Sequence, residues 1–410
     1  MILSKFLRVL LLAPVAFLVA RLRPAGDPFV MIATRDAHIG PCSLQLIQMV
    51  CADPDRQLVL SVRNRAAFDE INQSLITTGG FKIMDIVEQD SFKSLCRVFQ
   101  ANVHIAFENV FETFIFANRL GVWSGKRPKP VLVPDGIVTK TNGSLLSSDK
   151  IVGTGLKVWL VGRAAKRITY VSQSGADNYR TCLNTGIRSP SLMRPRGLPR
   201  FMRAAALKSE NTQPLLTPHF REMLAEDTAR FRIMVALTKN KEASDLVYLL
   251  KQMNMTLLDL NTLLAEADTS LWIKSHQSTL PLDDADTTVG NQGPKRIFAV
   301  GTPDGLSSVD LFPSFDGLLT DISSIYVDFL PFEGHIGFVS YDTWKAEGRF
   351  CYPDSPFYPG AKLNTVDDLR AFLEGLSKQD PIMQQERDYA RRVLLGDGTD
   401  SDYWAALLAS

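Results

Sequence analysis

Apolar residues along this chain first run unbroken and then fall into short blocks separated by mixed stretches. The unbroken run is 9–20 (VLLLAPVAFLVA), with Lys5 and Arg8 before it, Arg21 and Arg23 after it and Pro14 inside it. It is short for a helix crossing a hydrocarbon core of about 30 Å. The 18–21 sequence Leu-Val-Ala-Arg also makes a poor small-residue cleavage site. Residues 1–24 therefore predict a segment that lies on a membrane with its basic flanks on anionic lipid, an uncleaved signal anchor being the alternative.

Beyond it, β-type blocks alternate with helical ones. Predicted strands are 29–34 (FVMIAT), 57–62 (QLVLSV), 103–107 (VHIAF), 131–134 and 168–172 (ITYVS), with helical spacing over 42–50 and 107–120. That alternation predicts βαβ units on a parallel sheet. It stops at 186–208 (GIRSPSLMRPRGLPRFMRAAALK), a stretch with three prolines, six basic residues and no acid, which reads as a linker. A second series follows: 231–237 (FRIMVAL), 257–260 (LLDL), 271–274 (LWIK), 297–300 (IFAV), 317–320 and 336–340 (IGFVS). Residues 283–294 read as a polar surface loop, and 367–376 and 381–395 as closing helices. The resulting division is a membrane-associating segment at 1–24, an α/β domain at 25–185, a linker at 186–225, a second α/β domain at 226–378 and C-terminal helices at 379–410. Two such domains joined by a linker would face each other across a cleft.

Composition narrows the partners. The chain has 410 residues, 45 Lys plus Arg against 44 Asp plus Glu, and a formal charge of +1, so no global field points to nucleic acid. Its five cysteines are dispersed without a CxxC pair, and its five histidines make no HExxH pattern, which argues against a disulfide framework or a metal site and fits a reducing, cytoplasmic setting.

Ligands of open parallel sheets sit beyond the carboxyl ends of the strands. Four places there carry chemistry: Pro134-Asp135-Gly136, Thr238-Lys239, Ser275-His276 and 320–324. The last belongs to 316–329 (DGLLTDISSIYVDF), which reads as a buried strand, a capping pair Thr320-Asp321, and a helix with Ile325, Phe329 and Leu330 on one face. Ser323 and Ser324 at such a helix start suit a phosphate, although Asp321 and the serines serve equally as plain caps. An acid, a base, a cation and a phosphate site together suit group transfer from a phosphate-bearing donor.

The stretch 316–329, followed by 337–352 (GFVSYDTWKAEGRFCY), Pro359-Gly360 and 365–369, resembles the C-terminal half of the CDP-glycerol glycerophosphotransferase family. The family signature Thr-Asp-Tyr-Ser-Ser with a later Asp is matched by Thr320, Asp321, Ser323, Ser324 and Asp328, with Ile322 in place of the tyrosine. Gly197-Leu198-Pro199-Arg200 is similar to a Gly-x-Pro-Arg element of the family, and His276 stands where the family has His-Pro after a strand.

The resemblance implies two Rossmann-like domains in a glycosyltransferase-B-like arrangement. It implies a CDP-alcohol donor bound by the second domain and an anionic polymer or lipid-linked acceptor entering from the first. Thr238, Lys239, Thr320, Asp321, Ser323, Ser324 and Asp328 would bind donor, His276 would stabilise the leaving CMP, and Lys140 and Arg200 would contact acceptor or phosphate. Two departures stand out. Asp135 occupies the place of the family's general-base histidine in His-Gly-x-x-x-Lys, although Pro-Asp-Gly is also a turn signature. Leu237-Thr238-Lys239-Asn240 replaces Pro-Thr-Trp-Arg. No resident cofactor is implied, and a divalent cation with the diphosphate is compatible. The expected location is the cytoplasmic face of the cell membrane, peripheral or monotopic. A nucleotide-sugar glycosyltransferase of the same fold and a catalytically silent donor- or polymer-binding relative are the competing expectations.

Overall fold

The computed structural model describes residues 2–22, 27–34, 39–89, 91–107, 129–134, 169–173, 193–238, 244–274, 296–300, 307–350, 352, 355–378, 383–396 and 400–409. The chain divides into two compact units, one holding residues 1–137, 142–203 and 395–410, the other 138–141 and 204–394.

The first unit starts with helix α1 (Ile2–Leu22) and continues β1 (Phe29–Ala33), α2 (Pro41–Cys51), β2 (Gln57–Val62), α3 (Arg65–Gly79), β3 (Asp85–Glu88), α4 (Phe92–Gln100), β4 (Val103–Phe107), β5 (Lys129–Val133), β6 (Thr169–Ser172) and β7 (Met193–Pro195). Its seven strands are all parallel in the order β3-β2-β1-β4-β5-β6-β7. The helices begin where the sequence supplies caps: Asn64 accepts from the Ala67 amide, and Ser91 from the Ser94 amide. Phe29, Met31, Val59, Val87 and Val98 make one core on a sheet face. Pro14 lies within α1 without ending it. No helix among the described residues is long and apolar enough to cross a membrane.

Helix α5 (Pro199–Lys208) carries the chain from one unit to the other, and α6 (Pro218–Glu226) follows. The second unit then runs β8 (Phe231–Val235), α7 (Asp245–Met253), α8 (Leu257–Glu266), β9 (Thr269–Lys274), β10 (Ile297–Val300), α9 (Ser308–Leu311), β11 (Gly317–Thr320), α10 (Ile325–Phe329), β12 (His335–Val339), α11 (Tyr341–Ala346), β13 (Ala361–Leu363), α12 (Val366–Lys378) and α13 (Gln384–Ala390). A π-helical turn at Arg391–Leu395 precedes α14 (Ser401–Leu408), which closes the first unit.

The second sheet is also wholly parallel, in the order β10-β9-β8-β11-β12-β13. One face is packed by Leu246, Leu249, Leu260, Leu264, Phe372 and Leu376 against Ile233, Val235, Leu271 and Leu319. Elsewhere in this unit Trp272 stacks on Phe298 at 4.5 Å and donates its indole N–H to Asp227 at 2.9 Å.

Several elements differ from the sequence expectation. Residues 257–260 are the first turn of α8 rather than a strand: Thr256 and Asp259 form a reciprocal capping box that starts a helix there. The stretch read as a linker contains β7, α5 and α6. Strands β3, β7 and β13 had no clear pattern, and all three are short edge strands. The segments 108–120 and 283–294 lie outside the described residues.

Candidate functional site

In the second sheet the strand order reverses between β8 and β11, since successive strands run outward from that pair in opposite directions. Loops leaving the carboxyl ends of two such neighbours diverge and open a crevice, the usual place for a ligand in this topology. The two strands stay joined just past their ends, where the Ala236 amide donates to Leu319 O at 2.9 Å and the Thr320 hydroxyl to Ala236 O at 2.7 Å.

One step further out, Asp321 takes over. Its carboxylate accepts the Thr238 amide at 3.0 Å on both oxygens, the Thr238 hydroxyl at 2.8 Å and the Ser323 amide at 2.9 Å. These hydrogen bonds to a charged acceptor are of the stronger kind, and they tie the loop after β8 to the turn after β11. Asp321 is buried, so its role in this geometry is a brace. Ile322 and Tyr326 anchor the same segment in the core, and the Tyr326 hydroxyl donates to Phe357 O at 2.9 Å. What remains at the surface is partly exposed Ser323 and Ser324 beside partly exposed Thr238.

The helix after these serines is shorter than the sequence implied. Helix α10 has five residues, Ser324 precedes it without a side-chain cap bond, and the chain tightens into a 3-10 turn at Leu330–Phe332. Pro331 accounts for this, because a proline supplies no amide to continue the helical hydrogen-bond ladder. So short a helix carries little macrodipole. What the turn offers to solvent is the pair of partly exposed serines beside Thr238.

Of the other expected residues, Thr320 and Asp328 are buried within the second unit and Arg200 is buried on α5 of the first. Asp135, Lys140, Lys239 and His276 lie outside the described residues. Among the described residues no group of three His, Cys, Asp or Glu is placed to hold a metal ion.

Sequence reasoning missed two ionisable residues, Asp245 and Lys274, whose charges act on each other near Asp321. Asp245, in the first turn of α7, is fully buried and neither carboxylate oxygen is hydrogen-bonded among the described residues. Burial and then the negative charge of Asp321 push its carboxyl up to about 7, while the nearby Leu237 amide and the charge of Lys274 pull the other way. Lys274, the last residue of β9, is lowered by burial and supported by the charge of Asp245. Tyr248, one turn along α7, is raised by burial and by Asp321 and Glu347, against a hydrogen bond with Ser340. The visible signal was Lys274 itself, a charged residue closing the apolar strand LWIK; Asp245 looked like an ordinary first-turn acid.

No protein-family model and no curated protein matches the sequence. Solved structures do match. The wall teichoic acid polymerase TagF superposes with a TM-score of 0.68 at 16% identity, covering 99% of this chain and 97% of that one. A TagF variant soaked with CDPG gives a TM-score of 0.67 at 15% identity over the same shares. UDP-GlcNAc 2-epimerase from Neisseria meningitidis bound to UDP-GlcNAc gives 0.52 at 9% identity, covering 92% of this chain and 99% of that one. The chain thus shares the fold of TagF, with the parallel α/β sheets implied by its resemblance to the CDP-glycerol glycerophosphotransferase family.

Proposed function

We propose that this chain transfers glycerol phosphate, or a related polyol phosphate, from a CDP-activated donor to a hydroxyl of a cell-surface polymer or lipid-linked acceptor. The observation that carries the reading is the Asp321 brace at the strand-order reversal. It belongs to the Thr320, Asp321, Ser323, Ser324 motif and leaves both serines facing outward from a fixed turn. The fold shared with TagF supports it.

In this reading the second unit holds the donor and the first presents the acceptor. Ser323, Ser324, Thr238 and Lys239 hold the diphosphate, and Asp328 steadies the turn from inside. The acceptor hydroxyl attacks the β-phosphorus, its proton passes to Asp135, and the bond to the CMP oxygen breaks as His276 stabilises the departing charge. Lys140 and Arg200 serve acceptor or phosphate. No resident cofactor is required, and a divalent cation would enter with the diphosphate.

The reading also places the enzyme on an anionic membrane surface. Leu11, Val15, Leu18 and Leu22 form an exposed apolar stripe along α1, with Leu11 75% and Leu22 84% exposed. The other side of α1 is seated on α4, where Ala16 packs with Leu95 and Cys96, and Phe17 meets Phe99 at 5.4 Å. Residues 2–22 contain no acid, and Lys5, Arg8 and Arg21 add positive charge. An apolar stripe with basic flanks fits a lipid headgroup boundary.

A nucleotide-sugar transferase is the second reading, favoured by the epimerase structure bound to UDP-GlcNAc. Thermal-shift titration of the full chain against CDP-glycerol, CDP, UDP-GlcNAc and GDP separates the two, because a ligand of the native state raises its apparent stability. Stabilisation confined to cytidine compounds and lost in Ser323→Ala supports the first reading. A preference for UDP-GlcNAc replaces it with the second, and no response to any nucleotide points to a silent relative.

A further inference from the structure

The first sheet has a strand-order reversal of its own. Strands β2 and β3 lie outward from β1, while β5, β6 and β7 lie outward from β4 on the other side, so the chain leaves the ends of β1 and β4 in opposite directions. In the reading above the first unit presents the acceptor, and such a reversal is where a parallel sheet offers a ligand a place.

Two side-chain amides tie down both flanks of the β1–α2 junction at that reversal. Gln89, just past the end of β3, reaches across β2: its Nε2 donates to Thr34 O at the end of β1 at 2.6 Å and to Ser61 O in β2 at 3.1 Å. Its own backbone amide donates to Val62 O at 2.7 Å, so the side chain works from a fixed base. On the other flank, Asn72 on α3 accepts the Ile39 amide on Oδ1 at 3.0 Å, just ahead of α2. Its Nδ2 donates to Phe68 O one turn back at 2.9 Å, which turns Oδ1 toward Ile39. Thr34, Ile39 and Asn72 are all buried, where a backbone polar group needs a partner.

Local sequence does not supply those partners. Gly40, at the cap position of α2, makes no side-chain cap bond, whereas Gln89 and Asn72 act from 55 and 33 positions away. Removing either amide leaves a buried backbone group to find a new partner, and the junction shifts to do so.

We propose that Gln89 and Asn72 are positioning residues for the acceptor, holding the end of β1 and the start of α2 in the geometry that binds it. The inference rests on the transfer reading above and adds to it two residues of the first unit that lie outside the signature motif.

The test is steady-state turnover of CDP-glycerol by the full chain, with bacterial membranes carrying lipid-linked acceptor as the probe and acceptor-free phosphatidylglycerol vesicles added to keep total lipid constant. Gln89→Met and Asn72→Leu keep the size of each side chain and remove its hydrogen bonds. Each should raise the half-saturating amount of acceptor membranes at least about fivefold while leaving half-saturating CDP-glycerol within about twofold of wild type. Because both residues act on one junction, the double variant should lose less than the product of the two single losses. If Asn72→Leu does not fold, Asn72→Ser provides the same comparison. An unchanged acceptor dependence, or an equal rise in both constants, overturns the proposal and leaves the transfer reading standing. No turnover of CDP-glycerol by the wild type overturns both.

Discussion

Thr238 holds Asp321 twice, through its backbone amide at 3.0 Å and its hydroxyl at 2.8 Å, across the point where the second sheet reverses its strand order. Each hydrogen bond to a charged partner contributes about 1.5–3 kcal/mol when the partner is buried. Thr238→Val keeps the shape and the amide bond but removes the hydroxyl. It should lower stability by about 1–2 kcal/mol, whereas Asp321→Ala, which leaves three donor groups without their acceptor, should cost about 3 kcal/mol or more. Denaturant unfolding measures both, and equal losses in the two variants would mean that Asp321 is not the brace.

Asp245 predicts a pH dependence of stability. Its carboxyl is raised from 3.8 to about 7 in the folded chain, so between those values the folded state holds a proton that the unfolded state has released. Stability from this group is therefore lost as pH rises from about 4 to 7 and is constant above. Relative to wild type, Asp245→Asn should gain up to about 4 kcal/mol over that window. Chemical denaturation at pH 4.5, 6 and 8 reads the difference, and a gap that does not widen with pH contradicts the assignment.

His104 acts in the opposite direction. It is fully buried on β4 without hydrogen-bond partners for its ring nitrogens among the described residues, and burial lowers it from 6.5 to about 4. The unfolded state takes up a proton first as pH falls, so stability is full above 6.5 and declines toward pH 4 by about 3 kcal/mol from this residue. Replacing it with leucine should flatten that acid limb, and a variant that unfolds with the same acid profile as wild type would remove His104 from the explanation.

Gly360, just before β13, is required by packing. A Cβ there would fall on the Ile336 carbonyl oxygen of β12, which is fixed in the sheet. Gly360→Ala should cost about 1–3 kcal/mol by forcing the edge strand outward. Thermal unfolding reads this directly; an unchanged melting temperature would show that β13 shifts freely.

The exposed stripe of α1 gives a membrane prediction. Leu11→Glu with Leu18→Glu should abolish co-sedimentation with phosphatidylglycerol vesicles while leaving the fold intact, because both side chains point away from α4. Undiminished binding by that variant would move the contact elsewhere.

The alternation of apolar blocks was enough to anticipate most central strands of both sheets, with 57–62 and 103–107 matching β2 and β4, and it also marked the edge strand β10 at 297–300. Central parallel strands are buried on both faces and so read as continuous apolar runs. Edge strands β3, β7 and β13 lack that constraint and were not visible. LLDL misled because three leucines in four residues imitate a short apolar strand until the Thr256–Asp259 capping box is noticed, and Leu258 in fact faces solvent.

At the site, the motif containing Ser323 and Ser324 was legible because its residues are contiguous. That Thr238 and Asp321 bind each other was not, since they are 83 positions apart and meet only through strand order. The electrostatic influence of Lys274 on Asp245 is hidden for the same reason, and the raised carboxyl of Asp245 arises first from burial, which spacing does not encode.

The most direct test of the account is to incubate the full chain with radiolabelled CDP-glycerol and bacterial membranes carrying lipid-linked acceptor, and to follow CMP release and label in the lipid and polymer fraction. The account predicts that both appear together, and that Ser323→Ala and His276→Ala abolish both. Intact CDP-glycerol under conditions where a UDP-sugar is consumed, or where no nucleotide donor turns over, would contradict it.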